Sequence, residues 1–293
     1  MKPGRVKVYL VKAFGRGRAG GNAAGVVLDA GGLTAAQKQD IARKIGYSET
    51  AFVGDSGRAD FRVDFFTPVK RIPNCGHATV AAFALLRRKK IAREDEATVE
   101  TLNGIGRIRF EGNRVFMEQR PVGSWGVTRS QERELLKSLG LSRPRLLRGF
   151  APRLVSTGNN FFLLGVDGTE SLRGLRPDFQ RIAALSAKRR AVGYYVFALV
   201  AGGRCAATTR MFAPFFGIDE ESATGMAAGP LAWMLHDELG VSRGEFQIEQ
   251  GRFMRRPSPS TILARVSAVG GKVKSLLIGG QGFVASETSV PLG

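Results

Sequence analysis

Cysteine, histidine and long apolar runs are all scarce in this chain of 293 residues. The two cysteines, Cys75 and Cys205, are too few for the disulfide framework of a small secreted protein. Neither has a Cys or His neighbour at the spacing of a zinc-ligand set, so we predict no metal site. No apolar run approaches a membrane span, and the run between Lys7 and Lys12 is too short for a signal peptide. We therefore expect a soluble cytoplasmic protein with no membrane partner.

Acidic residues are also few, since 25 Asp and Glu face 44 Lys and Arg, which leaves a formal net charge of +19. The basic residues are spread along the whole chain. The densest runs, 87–90 and 188–190, end or follow apolar segments, and helix ends favour cations. No nucleic-acid motif accompanies them, so we do not predict specific nucleic-acid binding. Attraction of a small anionic substrate is a simpler use of the same charge.

The chain repeats one series of elements: a strand, a proline, a tight turn, a glycine, an apolar helix and more strands. The predicted helices, 78–86 and 226–235, are apolar on every face, which is typical of helices buried on all sides. The sequence therefore predicts an α+β fold of two similar domains. Each is a barrel of mixed strands around a buried central helix. We predict the halves to be residues 1–122 and 123–293, with a C-terminal tail that can pack back on the first half.

Glycine opens both predicted helices, in the segments 75–79 (CGHAT) and 224–228 (TGMAA). The backbone N–H groups and the dipole of such a helix start bind anions. Two starts facing one cleft would hold a carboxylate and stabilise negative charge that develops beside it. This arrangement suits proton abstraction next to a carboxyl group, with no metal or nucleotide cofactor. The alternative is that Gly76 and Gly225 only cap the helices.

Glu49 and His77 are the candidates for proton transfer. Apolar strand residues flank Glu49, and such surroundings favour a raised pKa suited to moving protons at neutral pH. The alternative is a strand glutamate that faces solvent. His77 is the second residue of the first helix start, whereas His236 lies at the far end of the second helix, where it suits the helix dipole. Cys205 is interpreted as a plain core residue of a strand.

The order and spacing of several short motifs resemble the phenazine-biosynthesis isomerase (PhzF-like) family, whose fold is that of diaminopimelate epimerase. The resemblance runs nearly from end to end of the chain. The motifs are VKAF (11–14), GNAAGVVL (21–28), SETAFV (48–53), FFTP (65–68), CGHAT (75–79), STG (156–158), ATG (223–225), IEQG (248–251) and RPS (256–258).

The resemblance implies two similar domains with the site between them, a homodimer and cofactor-free isomerase chemistry. It implies that Glu49 moves a proton between two carbons of an unsaturated cyclic amino acid and that His77 helps to place the substrate, beside the helix start at Gly76 that we expect to bind it. In the second half the family has an aspartate in the turn and a serine at the helix start. These positions hold Glu221 and Met226, next to Gly225, and Met226 cannot donate a hydroxyl hydrogen bond.

Those two departures, with Arg71 where an acidic residue is common, predict a substrate other than the phenazine precursor. Two alternatives stay open. The epimerase relatives use one cysteine at each helix start, but the second is Thr224 here, which leaves a Cys75/Thr224 epimerase or dehydratase. The other alternative is a non-catalytic binding protein with the same fold and a basic surface, which Met226 and Arg71 favour.

Overall fold

The computed structural model describes residues 4–15 and 19–292 of the chain. Its contacts divide the chain into two compact units, which are Met1–Glu118 with Gly279–Gly293 (unit 1) and Gln119–Ile278 (unit 2). The division into domains at 1–122 and 123–293 remains a prediction. No helix in the described part of the chain is both long and apolar enough to cross a bilayer.

The elements follow one another in a mixed α and β order. Up to residue 118 they are β1 (Arg5–Ala13), β2 (Asn22–Val27), α1 (Ala35–Ile45), β3 (Thr50–Gly54), β4 (Phe61–Phe66), β5 (Arg71–Ile72), α2 (Gly76–Arg88), β6 (Glu96–Thr101), β7 (Gly104–Glu111) and β8 (Arg114–Glu118). The remaining elements are β9 (Gly123–Gly126), α3 (Arg129–Leu139), β10 (Arg153–Ser156), β11 (Asn160–Val166), α4 (Thr169–Arg173), α5 (Phe179–Lys188), β12 (Ala191–Leu199), β13 (Cys205–Ala213), β14 (Ile218–Glu221), α6 (Gly225–Asp237), β15 (Glu245–Gln250), β16 (Ser260–Val269) and β17 (Lys272–Pro291).

The strands of unit 1 close into a mixed barrel of eight. Following the pairings, β17 neighbours β1, and the barrel continues through β2, β3, β4, β6, β7 and β8 back to β17. The β2–β3 and β4–β6 pairs are parallel. At the closure, a Cβ on Gly279 would lie 2.2 Å from the carbonyl oxygen of Val115. Only glycine fits there without a shift of the backbone.

Helix α2 is the central helix of unit 1. Every residue from 76 to 83 is buried, and the helix contacts β1, β2, β3 and β8. Its apolar residues on all faces therefore meet strands on several sides, as the sequence predicted. The basic residues Arg87 and Arg88 occupy its last turn, where the dipole favours positive charge.

Unit 2 repeats the pairing of unit 1 in order and in sense. The β10–β11, β12–β13, β13–β14 and β15–β16 pairs are antiparallel, and the β11–β12 and β13–β15 pairs are parallel. The corresponding pairs in unit 1 are β1–β2, β3–β4, β4–β5 and β6–β7, with β2–β3 and β4–β6 parallel. Helix α6 takes the place of α2 in this series, and most of its residues are buried.

Candidate active site

A buried row of three side chains lies at the start of α2 in unit 1. The Nε2 atom of His77 lies 3.1 Å from the Oε2 atom of Glu49, within ion-pair distance, although the angles of the contact are not those of a well-formed hydrogen bond. On its other side, the Nδ1 atom of His77 lies 3.5 Å from the Sγ atom of Cys75. The side chains of His77 and Glu49 are only 3% and 9% exposed. The imidazole therefore stands between a carboxylate and a thiol.

Local structure fixes both ends of this row. Glu49 directly precedes β3, and its carbonyl oxygen accepts a hydrogen bond of 3.1 Å from the N–H of Gly25. Cys75 is the extended N-cap residue of α2, and its side chain makes no capping hydrogen bond. Its carbonyl oxygen instead accepts hydrogen bonds from the hydroxyl and the N–H of Thr79, at 2.7 and 3.0 Å. The thiol thus remains available to the imidazole of His77.

The pKa of Glu49 lies below its ordinary value. Burial works to raise this pKa, but the positive charge and close contact of His77, together with a hydrogen bond from Ser48, outweigh burial. The raised pKa expected from the sequence is therefore wrong in direction, because the imidazole beside the carboxylate was not part of that reasoning. The alternative of a strand glutamate facing solvent is also wrong, since Glu49 is buried. At neutral pH Glu49 is a carboxylate, the form that accepts a proton.

The pKa of the Cys75 thiol lies above its ordinary value. Burial and the negative charge of Glu49 raise the pKa of its thiol, and this effect exceeds the lowering influence of His77. The sulfur is therefore a neutral thiol at neutral pH, and it lacks the thiolate character of a nucleophile or base. The row accordingly pairs one charged proton acceptor with one neutral sulfur.

Donor atoms of Glu49, Cys75 and His77 lie within 4.8 Å of one another, which is close enough to consider a metal ion. The sequence spacing of the cysteines did not predict this cluster. However, Glu49 and Cys75 contact different ring nitrogens of His77, and a single ion would use only one of them. The present orientation of the ring therefore suits hydrogen bonding along the row better than shared coordination.

The start of α6 in unit 2 is built differently. The hydroxyl of Thr224 donates to the carboxylate of Glu221. The side chain of Gln250 accepts from the N–H of Thr224 at 3.0 Å, and it donates to the Glu221 carbonyl at 2.8 Å and to the Thr224 hydroxyl at 3.0 Å. Gln250 is fully buried. These bonds tie the turn before α6 to strand β15.

A second amide holds the first turn of α6. The side chain of Gln119 donates to the Gly225 carbonyl and contacts the sulfur of Met226, each at 3.4 Å, and it accepts from the hydroxyl of Thr157 at 3.0 Å. Sequence reasoning missed the roles of Gln119, Thr157 and Gln250. The motifs at 156–158 and 248–251 contain two of them, whereas no pattern distinguishes Gln119.

Arg71, Cys205 and His236 have structural surroundings. Arg71 and Lys38 both bind the carboxylate of Asp64, so the charge of Arg71 serves an ion-pair cluster of unit 1. Cys205 is half-buried, and its interpretation as a plain core residue is wrong because the start of β13 borders an open cavity. The Nδ1 atom of His236 lies 2.9 Å from the Asp237 carboxylate, in the last turn of α6 as predicted.

Comparison with known proteins agrees with this architecture. The family model described as "PhzC-PhzF: Phenazine biosynthesis-like protein" matches residues 11–288. The chain belongs to this family. It is 38% identical over 277 residues to an "Uncharacterized isomerase" of Deinococcus radiodurans, which covers 91% of this chain and 89% of that protein. It is 29% identical to the "Trans-2,3-dihydro-3-hydroxyanthranilate isomerase" of Pseudomonas chlororaphis, with 97% of this chain and 98% of that protein covered.

Solved structures extend the likeness to the fold. A PhzF-family phenazine biosynthesis protein of Bacillus anthracis has a TM-score of 0.86 and 27% identity, with 98% of this chain and 99% of that chain covered. A probable proline racemase of Agrobacterium radiobacter has a TM-score of 0.61 at 16% identity, with 98% and 93% covered, and shares the fold alone. This chain is an isomerase of the PhzF family.

Proposed function

We propose that this PhzF-family isomerase transfers a proton next to a carboxylate or an unsaturated carbon of a small anionic substrate, with Glu49 as the general acid and base. The observation that supports the proposal most is the buried contact between Glu49 and His77 at the start of α2. A buried carboxylate whose pKa is set by a neighbouring imidazole is typical of a group that moves protons.

In the proposed reaction, the carboxylate of Glu49 takes a proton from one carbon of the substrate and returns it to another carbon. One C–H bond breaks and one forms, so the electrons balance within the substrate and no external redox partner is required. The N–H groups at the start of α2, from Gly76 onward, suit the substrate carboxylate and the charge that develops beside it. His77 stabilises Glu49 in its charged form and orients it.

The remaining expectations also stay proposals. We propose that Glu221, Gly225 and Met226 bind the substrate, that the two units are copies of one barrel fold, and that the protein is a cytoplasmic homodimer. The carboxylate of Glu221 already accepts from Thr224, and Met226 offers a thioether in place of a hydroxyl. Both features support a substrate that differs from trans-2,3-dihydro-3-hydroxyanthranilate, on which the Pseudomonas relative is named to act.

The test is proton exchange in D2O, followed by NMR over a panel of small unsaturated carboxylic acids that includes trans-2,3-dihydro-3-hydroxyanthranilate. We expect at least one acid to gain deuterium at carbon with the natural protein and none to do so with Glu49→Gln. Circular dichroism checks that the variant is folded. Exchange that proceeds equally in the Glu49→Gln variant would refute the role of Glu49.

The second candidate function is an epimerase or dehydratase that uses Cys75 with Thr224. The contact of the Cys75 sulfur with His77 favours it, because an imidazole can draw a proton from a thiol. It requires that Cys75→Ser removes activity while Glu49→Gln is tolerated. The non-catalytic alternative, which predicts salt-sensitive binding of polyanions and no exchange with any acid, disagrees with the isomerase relatives. Arg71 no longer favours it, because that charge is paired with Asp64.

A further inference from the structure

A cavity of about 630 Å³ lies in unit 2, away from the turn that precedes α6. Its lining combines buried and exposed side chains from α4, β13 and β15 with those of the neighbouring loops: Thr169, Glu170, Arg173, Val200, Cys205, Thr208, Glu249, Arg252 and Phe253. Glu249 and Gln250 are consecutive on β15, so their side chains point to opposite faces of the sheet. Gln250 holds Thr224, and Glu249 therefore faces away from that contact. The volume is in the range of small-molecule sites.

The floor of this cavity holds a hydroxyl whose hydrogen-bonding capacity is unused. Thr208 is only 4% exposed, and its Oγ1 atom has no hydrogen-bond partner within residues 4–15 and 19–292. Buried polar groups are rarely left in this state, because the lost contact with water is not replaced. Thr208 is also the register partner of Glu249 across the parallel β13–β15 pair, so the two side chains are neighbours on the floor.

The carboxylate of Glu249 is buried, and it pairs with the exposed guanidinium of Arg252. Its side chain is 5% exposed, whereas that of Arg252 is 58% exposed. The guanidinium binds both carboxylate oxygens, one of them at 2.8 Å. A carboxylate has more lone pairs than the guanidinium uses, so an ammonium group that enters the cavity can share the carboxylate of Glu249 with Arg252. Next to it, the Thr208 hydroxyl can share the same hydrogen-bond donor.

The rim carries both signs of charge. Arg173 lies beside Glu170 on α4, at 3.4 Å and mostly exposed, which is a weak pairing that leaves the guanidinium able to bind another anion. Two arginines and two glutamates thus surround the cavity, in contrast to the +19 charge of the whole chain. A simple anion would meet Glu170 and Glu249, and a simple cation would meet the two arginines. Val200 and Phe253 supply apolar wall.

We propose that this cavity is a second binding site, for a zwitterionic α-amino acid with an apolar side chain. The ammonium group binds Glu249 and the Thr208 hydroxyl, the carboxylate binds Arg173, and the apolar side chain lies against Val200 and Phe253. Neither Glu49 nor His77 lines this cavity, and the proposal does not depend on the reaction proposed for them.

Isothermal titration calorimetry with L-phenylalanine tests the proposal, with two analogues that each lack one charge. We expect saturable binding of L-phenylalanine. We expect about tenfold weaker binding both of 3-phenylpropionate, which lacks the ammonium group, and of phenethylamine, which lacks the carboxylate. Equal binding of 3-phenylpropionate would mean attraction to the basic protein only and would overturn the proposal. Absence of saturable L-phenylalanine binding would overturn it as well.

Variants locate the ligand. Thr208→Val keeps the shape and removes the hydroxyl, and we expect it to weaken L-phenylalanine binding about tenfold. The matched control is Thr209→Val on the other face of β13. The Thr209 hydroxyl lies within hydrogen-bond distance of the backbone carbonyl oxygen of Glu249, at 3.0 Å, and of the Tyr195 hydroxyl, at 3.2 Å. This control is expected to lower stability without changing the affinity for L-phenylalanine.

Should Thr208→Val fail to fold, Arg173→Met at the exposed rim gives the same test. Unchanged affinity in the folded variants would place the ligand elsewhere and refute the assignment.

Discussion

The starts of α2 and α6 occupy the same place in two similar series of elements, yet they differ in chemistry. At the start of α2, two titratable groups and a thiol touch in a buried row of Glu49, His77 and Cys75. At the start of α6, Gln250 and Thr224 tie the turn together with hydrogen bonds. We proposed proton transfer at the first start, whereas hydrogen bonds of the Gln250 amide tie the turn at the second start to β15. The first start therefore brings two titratable side chains into direct contact, whereas the carboxylate of Glu221 at the second start is bonded to the hydroxyl of Thr224.

The largest effect is expected from Glu49→Gln, which removes the only carboxylate of the row. Because general acid–base catalysis is typically worth two to four orders of magnitude, we expect proton exchange to fall about a thousandfold. The measurement is the exchange rate in D2O with an acid that the natural protein accepts. Glu221→Gln at the other helix start is the matched control. Its loss should be smaller and should fall mainly on KM, and an equal loss of kcat in both variants would remove the contrast between the two starts.

His77→Gln is expected to have the next largest effect, about a hundredfold in kcat. Without the imidazole, only the hydrogen bond from Ser48 still opposes burial, so the pKa of Glu49 is expected to rise. The carboxylate form is then lost at a higher pH than in the natural protein. The acid limb of the pH–kcat profile should accordingly move to higher pH.

The lowered pKa of Glu49 also makes the stability of the folded protein depend on pH. Since folding lowers the pKa of Glu49, the group stabilises the folded state above pH 4.5, and this contribution is lost as the pH falls through the lowered pKa. Urea unfolding at a series of acidic pH values should show this loss in the natural protein, while His77→Gln should lack it. An acid limb and an unfolding profile that are unchanged in His77→Gln would show that the imidazole does not set the pKa of Glu49.

The sequence predicted some features of the two helix starts and not others. The buried helices follow from residues that are apolar on every face, and the glycines mark where the helices begin. The contact of Glu49 with His77 joins residues that are distant in sequence, and it was not predicted: the family resemblance gave each residue a role at the site but no contact between them. The direction of the Glu49 pKa could not be predicted, because it depends on an imidazole brought in by another element. The role of Gln119 depends on its tertiary contacts with Thr157 and the first turn of α6.

Gln250→Leu removes the amide that ties the turn before α6 to strand β15. The variant leaves the N–H of Thr224 and the carbonyl of Glu221 without the amide that binds them in a buried place. We expect unfolding free energy to fall by about 2 kcal/mol, measured by urea denaturation. Gln247→Leu, half-buried on the same strand, is the control and should change stability by less than about 0.5 kcal/mol. Equal losses would mean that the strand tolerates leucine poorly and that the amide has no special role.

The smallest effect is expected from Cys75→Ser, and it decides between the two catalytic candidates. Burial and the charge of Glu49 keep the thiol neutral, so Cys75 is not the group that carries the proton. A serine hydroxyl can still hydrogen-bond the Nδ1 atom of His77, and we expect activity to change by less than about threefold. Cys205→Ser, in the other unit, controls for general effects of losing a thiol. If Cys75→Ser instead lost as much activity as Glu49→Gln, the sulfur itself would have to transfer the proton. The first helix start would then resemble the thiol-dependent epimerases more than the glutamate-dependent isomerases.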